Sequence, residues 1–98
     1  MNALLTSNVL QKRAQRITVY PNLVTQKQFW LQLYNIDKCV FSVHVYSLTG
    51  QQVFKLFLYH SDVHSSHTIQ LPAHVQRGVY KVAVRTSDSH HVQPIVIE

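Results

Sequence analysis

Four residue classes are scarce in this sequence: one cysteine, two glycines, three prolines and four acidic residues among 98. A lone Cys39 excludes an internal disulfide, and without a Cys-x-x-Cys pair nothing marks it as a reactive thiolate. It is expected to be a buried structural thiol at the start of a strand. The shortage of glycine leaves no phosphate-cradling loop. The acids Asp37, Asp62, Asp88 and Glu98 are far apart, in predicted turns or at the terminus. They offer no material for a paired-carboxylate acid–base centre. No apolar run approaches the length of a membrane span. Residues 1–7 have neither a basic start nor an apolar stretch, so they are not a signal peptide.

The shortage of acids sets the charge. Nine Lys and Arg against four Asp and Glu give a formal net charge of +5. Lys12, Arg13 and Arg16 form the one basic cluster; Lys27, Lys38, Lys55, Arg77, Lys81 and Arg85 stand singly. A nucleic-acid surface presents a denser basic stripe, so scattered solubilising charge is the preferred reading and no nucleic-acid partner is expected.

What the chain has in quantity is β-branched, aliphatic and aromatic residues, with hydrophobic residues at 46%. That composition favours strands. Residues 1–16 show no strand pattern and read as a linker, with one loose helical turn around residues 10–15. From there a period of two takes over. Strands are predicted at residues 17–20, 28–34, 40–46, 52–59, 67–71, 79–85 and 92–97. In the third, Phe41, Val43 and Val45 share one face, and His44 should face outward. The fourth is apolar on both faces. Gly50 supplies a positive φ to a tight hairpin after Leu48, and Gly78 opens the sixth strand. Seven short strands with no room for a helix predict an all-β, seven-stranded immunoglobulin-like β-sandwich. Tyr80, just inside the sixth strand, is placed to form a tyrosine corner.

Three groups of residues suggest chemistry. His60, His64 and His67 lie in a stretch read as a polar loop and strand start. Imidazoles beside an Asp can bind Zn²⁺ or Cu²⁺, but this spacing brings ligands together on a helix, not on a loop, so a solvated loop is preferred. His90 and His91 read as plain turn exposure. Ser61, Asp62 and His64 make a hydrolytic triad on paper only, because they are immediate neighbours without a nucleophile elbow. Trp30 and Tyr34 share one strand face, where ring faces stack on sugars; core or rim residues of a strand buried on both faces are the preferred reading. No catalytic, cofactor-binding or metal-binding residue is assigned, and no enzyme is expected.

The order of motifs carries more. Val19-Tyr20-Pro21-Asn22 comes first, then Leu31 and Leu33, then Val43, Val45, Tyr46, Leu48 and Gly50. Ile69 and Leu71 follow, then Gly78, Tyr80, Val82 and Val84, and finally Ile95, Val96 and Ile97. This set resembles the C-terminal sorting domain (type A) of proteins exported by the type IX, or Por, secretion system of Bacteroidetes. The family's second Pro is Leu23 here, its Arg after Gly50 is Gln51, and its Lys before the terminal strand is Pro94. The resemblance covers residues 17–98. It implies a domain that directs a cargo across the outer membrane, captured by an outer-membrane shuttle protein and cut by a sortase within or next to residues 1–16. It implies passage through the periplasm, then the outer membrane, cell surface or medium, and no cofactor. A cargo of that pathway carries its own export signal, so these residues are expected to be a piece, a processed fragment or a stand-alone copy. The residues expected to meet the machinery are Gly78, Val79, Tyr80, Val82, Pro94, Ile95, Val96, Ile97 and Glu98, on a terminal strand that offers a sheet edge. The rival reading is an immunoglobulin-like adhesion or carbohydrate-binding module of a secreted protein.

Overall fold

The structure, a computed structural model, describes residues 14–98. Most of the expected linker, residues 1–13, lies outside the described residues. The strands are β1 (Arg16–Tyr20), β2 (Leu23–Val24), β3 (Gln28–Tyr34), β4 (Cys39–Ser47), β5 (Gln52–His60), β6 (Ser65–Gln70), β7 (Gly78–Arg85) and β8 (His90–Ile97). They form a three-stranded sheet in the order β1-β3-β6 and a five-stranded sheet in the order β2-β8-β7-β4-β5. The order β8-β7-β4 facing β1-β3-β6 is that of an immunoglobulin-type sandwich.

Alternation builds the core. Phe29, Leu31 and Leu33 of β3 face Phe41, Val43 and Val45 of β4, together with Val82 and Val84 of β7 and Ile95 and Ile97 of β8. All are buried. Burying a side chain of this size stabilises by roughly 1.5–3 kcal/mol, so the alternating positions hold the two sheets together. Ile69 and Leu71 point inward as predicted. Gly50 has φ +91° in the β4–β5 hairpin, and its amide donates to the Ser47 carbonyl at 2.9 Å.

Eight strands replace the predicted seven because the chain changes sheets. β1 pairs antiparallel with β3; after Tyr20-Pro21-Asn22, β2 pairs parallel with β8, Leu23 opposite Val96 and Val24 opposite Ile97. Two residues are too few to show a period of two, so a strand this short leaves no sequence signature.

Other boundaries shift for identifiable reasons. The predicted loop from residue 60 is shorter, since His60 closes β5 and Ser65 opens β6. β5 is the outermost strand of its sheet, so its outward residues Phe57 and Tyr59 remain 60% and 58% exposed. Its inward residues Leu56 and Leu58 are half-buried. Being apolar on both faces reflects an overhanging edge here, not a strand covered on both sides. Cys39 opens β4 as expected and is half-buried against the core.

Candidate functional site

β7 and β8 carry the residues singled out for recognition, and alternation divides them into two sets. Tyr80, Val82, Ile95 and Ile97 point inward and are buried. Val79, Pro94, Val96 and Glu98 are exposed, and Gly78 is partly so. Val79 lies opposite Val96, and Val96 lies opposite Leu23. These three exposed aliphatic side chains form one row across three strands on the outer face of the five-stranded sheet. Leu23 was not visible from sequence as part of this surface, because only its parallel pairing with β8 brings it there.

The terminal strand is not the open edge expected. The Val96 amide donates to the Asn22 carbonyl at 2.8 Å, and the Glu98 amide to the Val24 carbonyl at 2.9 Å. β2 therefore occupies the outer side of β8 at its tip. The same bonds account for Pro94. Amides two residues apart on a strand point to the same side, so the position of Pro94 faces the outer side, beyond the start of β2. Proline's missing donor is tolerated there because no ladder partner is lost.

The corner forms as anticipated. The Tyr80 hydroxyl donates to the Gln76 carbonyl at 2.7 Å, with the ring buried at the start of β7. This pins the 71–78 connection to the sandwich. Tyr80→Phe keeps the ring and removes the bond, and should cost about 1–1.5 kcal/mol, measured by chemical denaturation. Gly78 has φ +152°, and a Cβ there would meet Tyr80 Cε1 at 3.6 Å, an ordinary contact. Backbone conformation, not space, is what favours glycine at this position.

The histidines are arranged differently from the sequence reading. His60 is fully buried and belongs to no solvated loop. Its Nε2 donates to the Ile36 carbonyl at 2.7 Å, and its Nδ1 lies 2.6 Å from Ser65 Oγ. Ser65 Oγ also lies 2.9 Å from His67 Nε2. A chain of hydrogen bonds thus links the end of β5, the start of β6 and the β3–β4 turn. His64 sits apart, stacked on Tyr34 at 4.3 Å with its Nδ1 accepting from the Asn35 amide. Among the described residues no group of three His, Cys, Asp or Glu side chains is placed to hold a metal. Ser61, Asp62 and His64 are all exposed and show no mutual hydrogen bond, so no triad assembles from them.

Burial, and then the neighbouring His60, lowers the pKa of His67 from the ordinary imidazole value of 6.5. The sign follows directly. Below pH 6.5 the unfolded chain takes up a proton that the folded domain resists, so unfolding is favoured as the pH falls. The melting temperature should be level above that pH and drop towards pH 5, and His67→Gln should flatten the profile.

His44 projects from the outer face as predicted but is buried there, bonded to Gln52 and Ser42 and stacked on Tyr46. It lies on β4, an interior strand flanked by β7 and β5, where neighbours close over it. His90 and His91 belong to β8 and not to a turn; His91 Nε2 lies 2.7 Å from Gln93 Oε1. Trp30 and Tyr34 are not core residues of a doubly covered strand. They stand on the open face of the three-stranded sheet, 37% and 40% exposed. Tyr34 lies between His64 and the Arg16 guanidinium, which is 5.2 Å from its centroid, while Trp30 stacks on Tyr20. Trp30 and Tyr34 thus belong to two separate stacks on this face.

The secretion-system C-terminal sorting domain matches over residues 18–98, from β1 through β8. The chain belongs to that family. Export is the business of such a domain, and all three residues of the exposed aliphatic row of this sorting domain fall within the matched region. No curated protein matches the chain significantly. Among solved structures it is similar to a β-glucosidase from Listeria innocua. In the isofagomine complex the TM-score is 0.49 at 13% identity, covering 85% of this chain and 16% of that one. In the glucose complex the TM-score is 0.48 at 12% identity, with 85% and 16% covered. The sorting domain spans about a sixth of the enzyme's length, and the likeness carries no functional argument.

Proposed function

We propose that this sorting domain is an address label of the type IX pathway. It is captured by an outer-membrane shuttle protein and released from its cargo by a sortase acting within or next to residues 1–16. The cargo passes through the periplasm and reaches the cell surface or the medium. The domain performs no catalysis and requires no cofactor. The single observation that carries this reading is the family match over residues 18–98.

The row Val79, Val96 and Leu23 supplies the contact surface in this proposal. It is exposed, aliphatic and held by paired strands, so it can be altered without opening the core. The buried set, Tyr80, Val82, Ile95 and Ile97, acts by fixing where that row stands.

The test fuses residues 1–98 to a reporter carrying an inner-membrane signal peptide, in a host that has the pathway. Val79→Glu with Val96→Glu should abolish most surface display while leaving the melting temperature nearly unchanged. Thr68→Glu, on the exposed face of the other sheet, should display normally. Equal display of the double variant would remove the row from the mechanism. Failure of the unaltered domain, where a known sorting domain succeeds, would remove the address-label reading altogether.

A further inference from the structure

On the outer face of the five-stranded sheet, the part built by β4, β5 and β7 carries charge of one sign. Lys55 on β5 and Lys81 and Arg85 on β7 all project from it and are exposed. Lys55 pairs across β4 through His44 with Ala83, midway between Lys81 and Arg85. Two strand spacings are about 10 Å and four residues of strand about 13 Å, so the three cations form a triangle with sides of roughly 12–13 Å. Asp37, Asp62 and Asp88 lie in connecting loops, and the exposed Glu98 follows β8 beyond Val96, outside the triangle.

Apolar side chains accompany the cations. Phe57 and Tyr59 are more than half exposed beside Lys55, whose ammonium lies 5.0 Å from the Phe57 ring centre. Val92 is exposed beside Ala83. A shallow depression of about 260 Å³ opens between β7, β8 and the β4–β5 hairpin, with Lys81, Arg85, His90 and Tyr46 in its lining.

We propose that this face docks on an anionic lipid surface. The argument is the combination of single-sign charge with exposed aromatic side chains on one sheet face. An acidic protein would have to set its own negative patch opposite these widely spaced cations. A lipid surface presents one sign over its whole plane, attracts each nearby Lys or Arg, and accepts aromatic side chains at headgroup depth. The cations stand farther apart than the Debye length of about 8 Å at physiological salt, so each meets the anionic plane on its own and their contributions add. The proposal is independent of how the Val79–Val96–Leu23 row is used, and the experiment needs no export pathway.

The experiment is sedimentation of residues 1–98 with phosphatidylcholine vesicles, with and without a quarter of phosphatidylglycerol. Binding is expected only with the anionic lipid, and it should weaken between about 50 and about 300 mM salt as the Debye length falls from roughly 14 to roughly 6 Å. Removing three interfacial charges with Lys55→Gln, Lys81→Gln and Arg85→Gln should weaken partitioning roughly 100-fold. Phe57→Ser should weaken it further at constant charge. The control removes the same charge from the basic cluster, with Lys12→Gln, Arg13→Gln and Arg16→Gln, and should retain most of the binding. If the triple face variant melts early, the single reversal Arg85→Glu takes its place. Equal loss in the control, equal binding to neutral vesicles, or no binding at low salt overturns the proposal. So does retention on immobilised polyglutamate without vesicle binding, which would identify an acidic protein as the partner instead.

Discussion

Removal of residues 95–98 is expected to unfold the domain, not merely to silence it. Ile95 and Ile97 are each 1% exposed, and the amides of Val96 and Glu98 hold β2 in its sheet. Losing two buried isoleucines costs about 2–5 kcal/mol each, with the β2 ladder in addition. A domain of this size has about 5–15 kcal/mol in total, so the loss takes most or all of it. The shortened chain should show a collapsed or absent thermal transition by circular dichroism and rapid proteolysis. A cooperative transition near that of the intact domain would show that the terminal strand is dispensable for folding. This result bears on how export experiments are read. A sorting domain shortened at its end loses its fold and its label together, whereas Val79→Glu with Val96→Glu separates the two.

The second large effect is expected at His60. Its imidazole has no exposure, and both nitrogens are engaged, one by the Ile36 carbonyl and one by Ser65. His60→Ala leaves a buried carbonyl without a donor and a cavity of ring size. The two penalties together should reach about 3–5 kcal/mol. His60→Asn restores one hydrogen bond at reduced volume and should recover part of the loss. Denaturation midpoints of the two variants check this directly; if His60→Ala loses less than about 1 kcal/mol, the carbonyl has found another partner.

These two predictions show where sequence reasoning reached and where it stopped. The strand faces of β3, β4, β7 and β8 were legible because period-two alternation is local, and Gly50 and Tyr80 were legible because their geometry is set by near neighbours. His60 was not. It reads as the polar start of a loop, and its partner Ile36 lies 24 residues away. β2 was illegible for a different reason: its only evidence is the strand it meets, more than seventy residues later. The same non-local pairing brings Leu23 to Val96, so the surface row could be named only in part. The outer face of β5 was visible as apolar residues, but nothing in a sequence tells an overhanging edge from a central strand.

The switch of the chain from one sheet to the other has a mechanical consequence. β2 and β8 run parallel, side by side at one strand spacing of about 4.8 Å, at opposite ends of the sequence. Tension between residue 14 and Glu98 therefore pulls the two strands past each other along their length. In that geometry the bonds from Val96 to Asn22 and from Glu98 to Val24 share the load at once. A zipper opened from one end would carry it one bond at a time. Force applied across these two ends thus meets the domain along its more resistant direction.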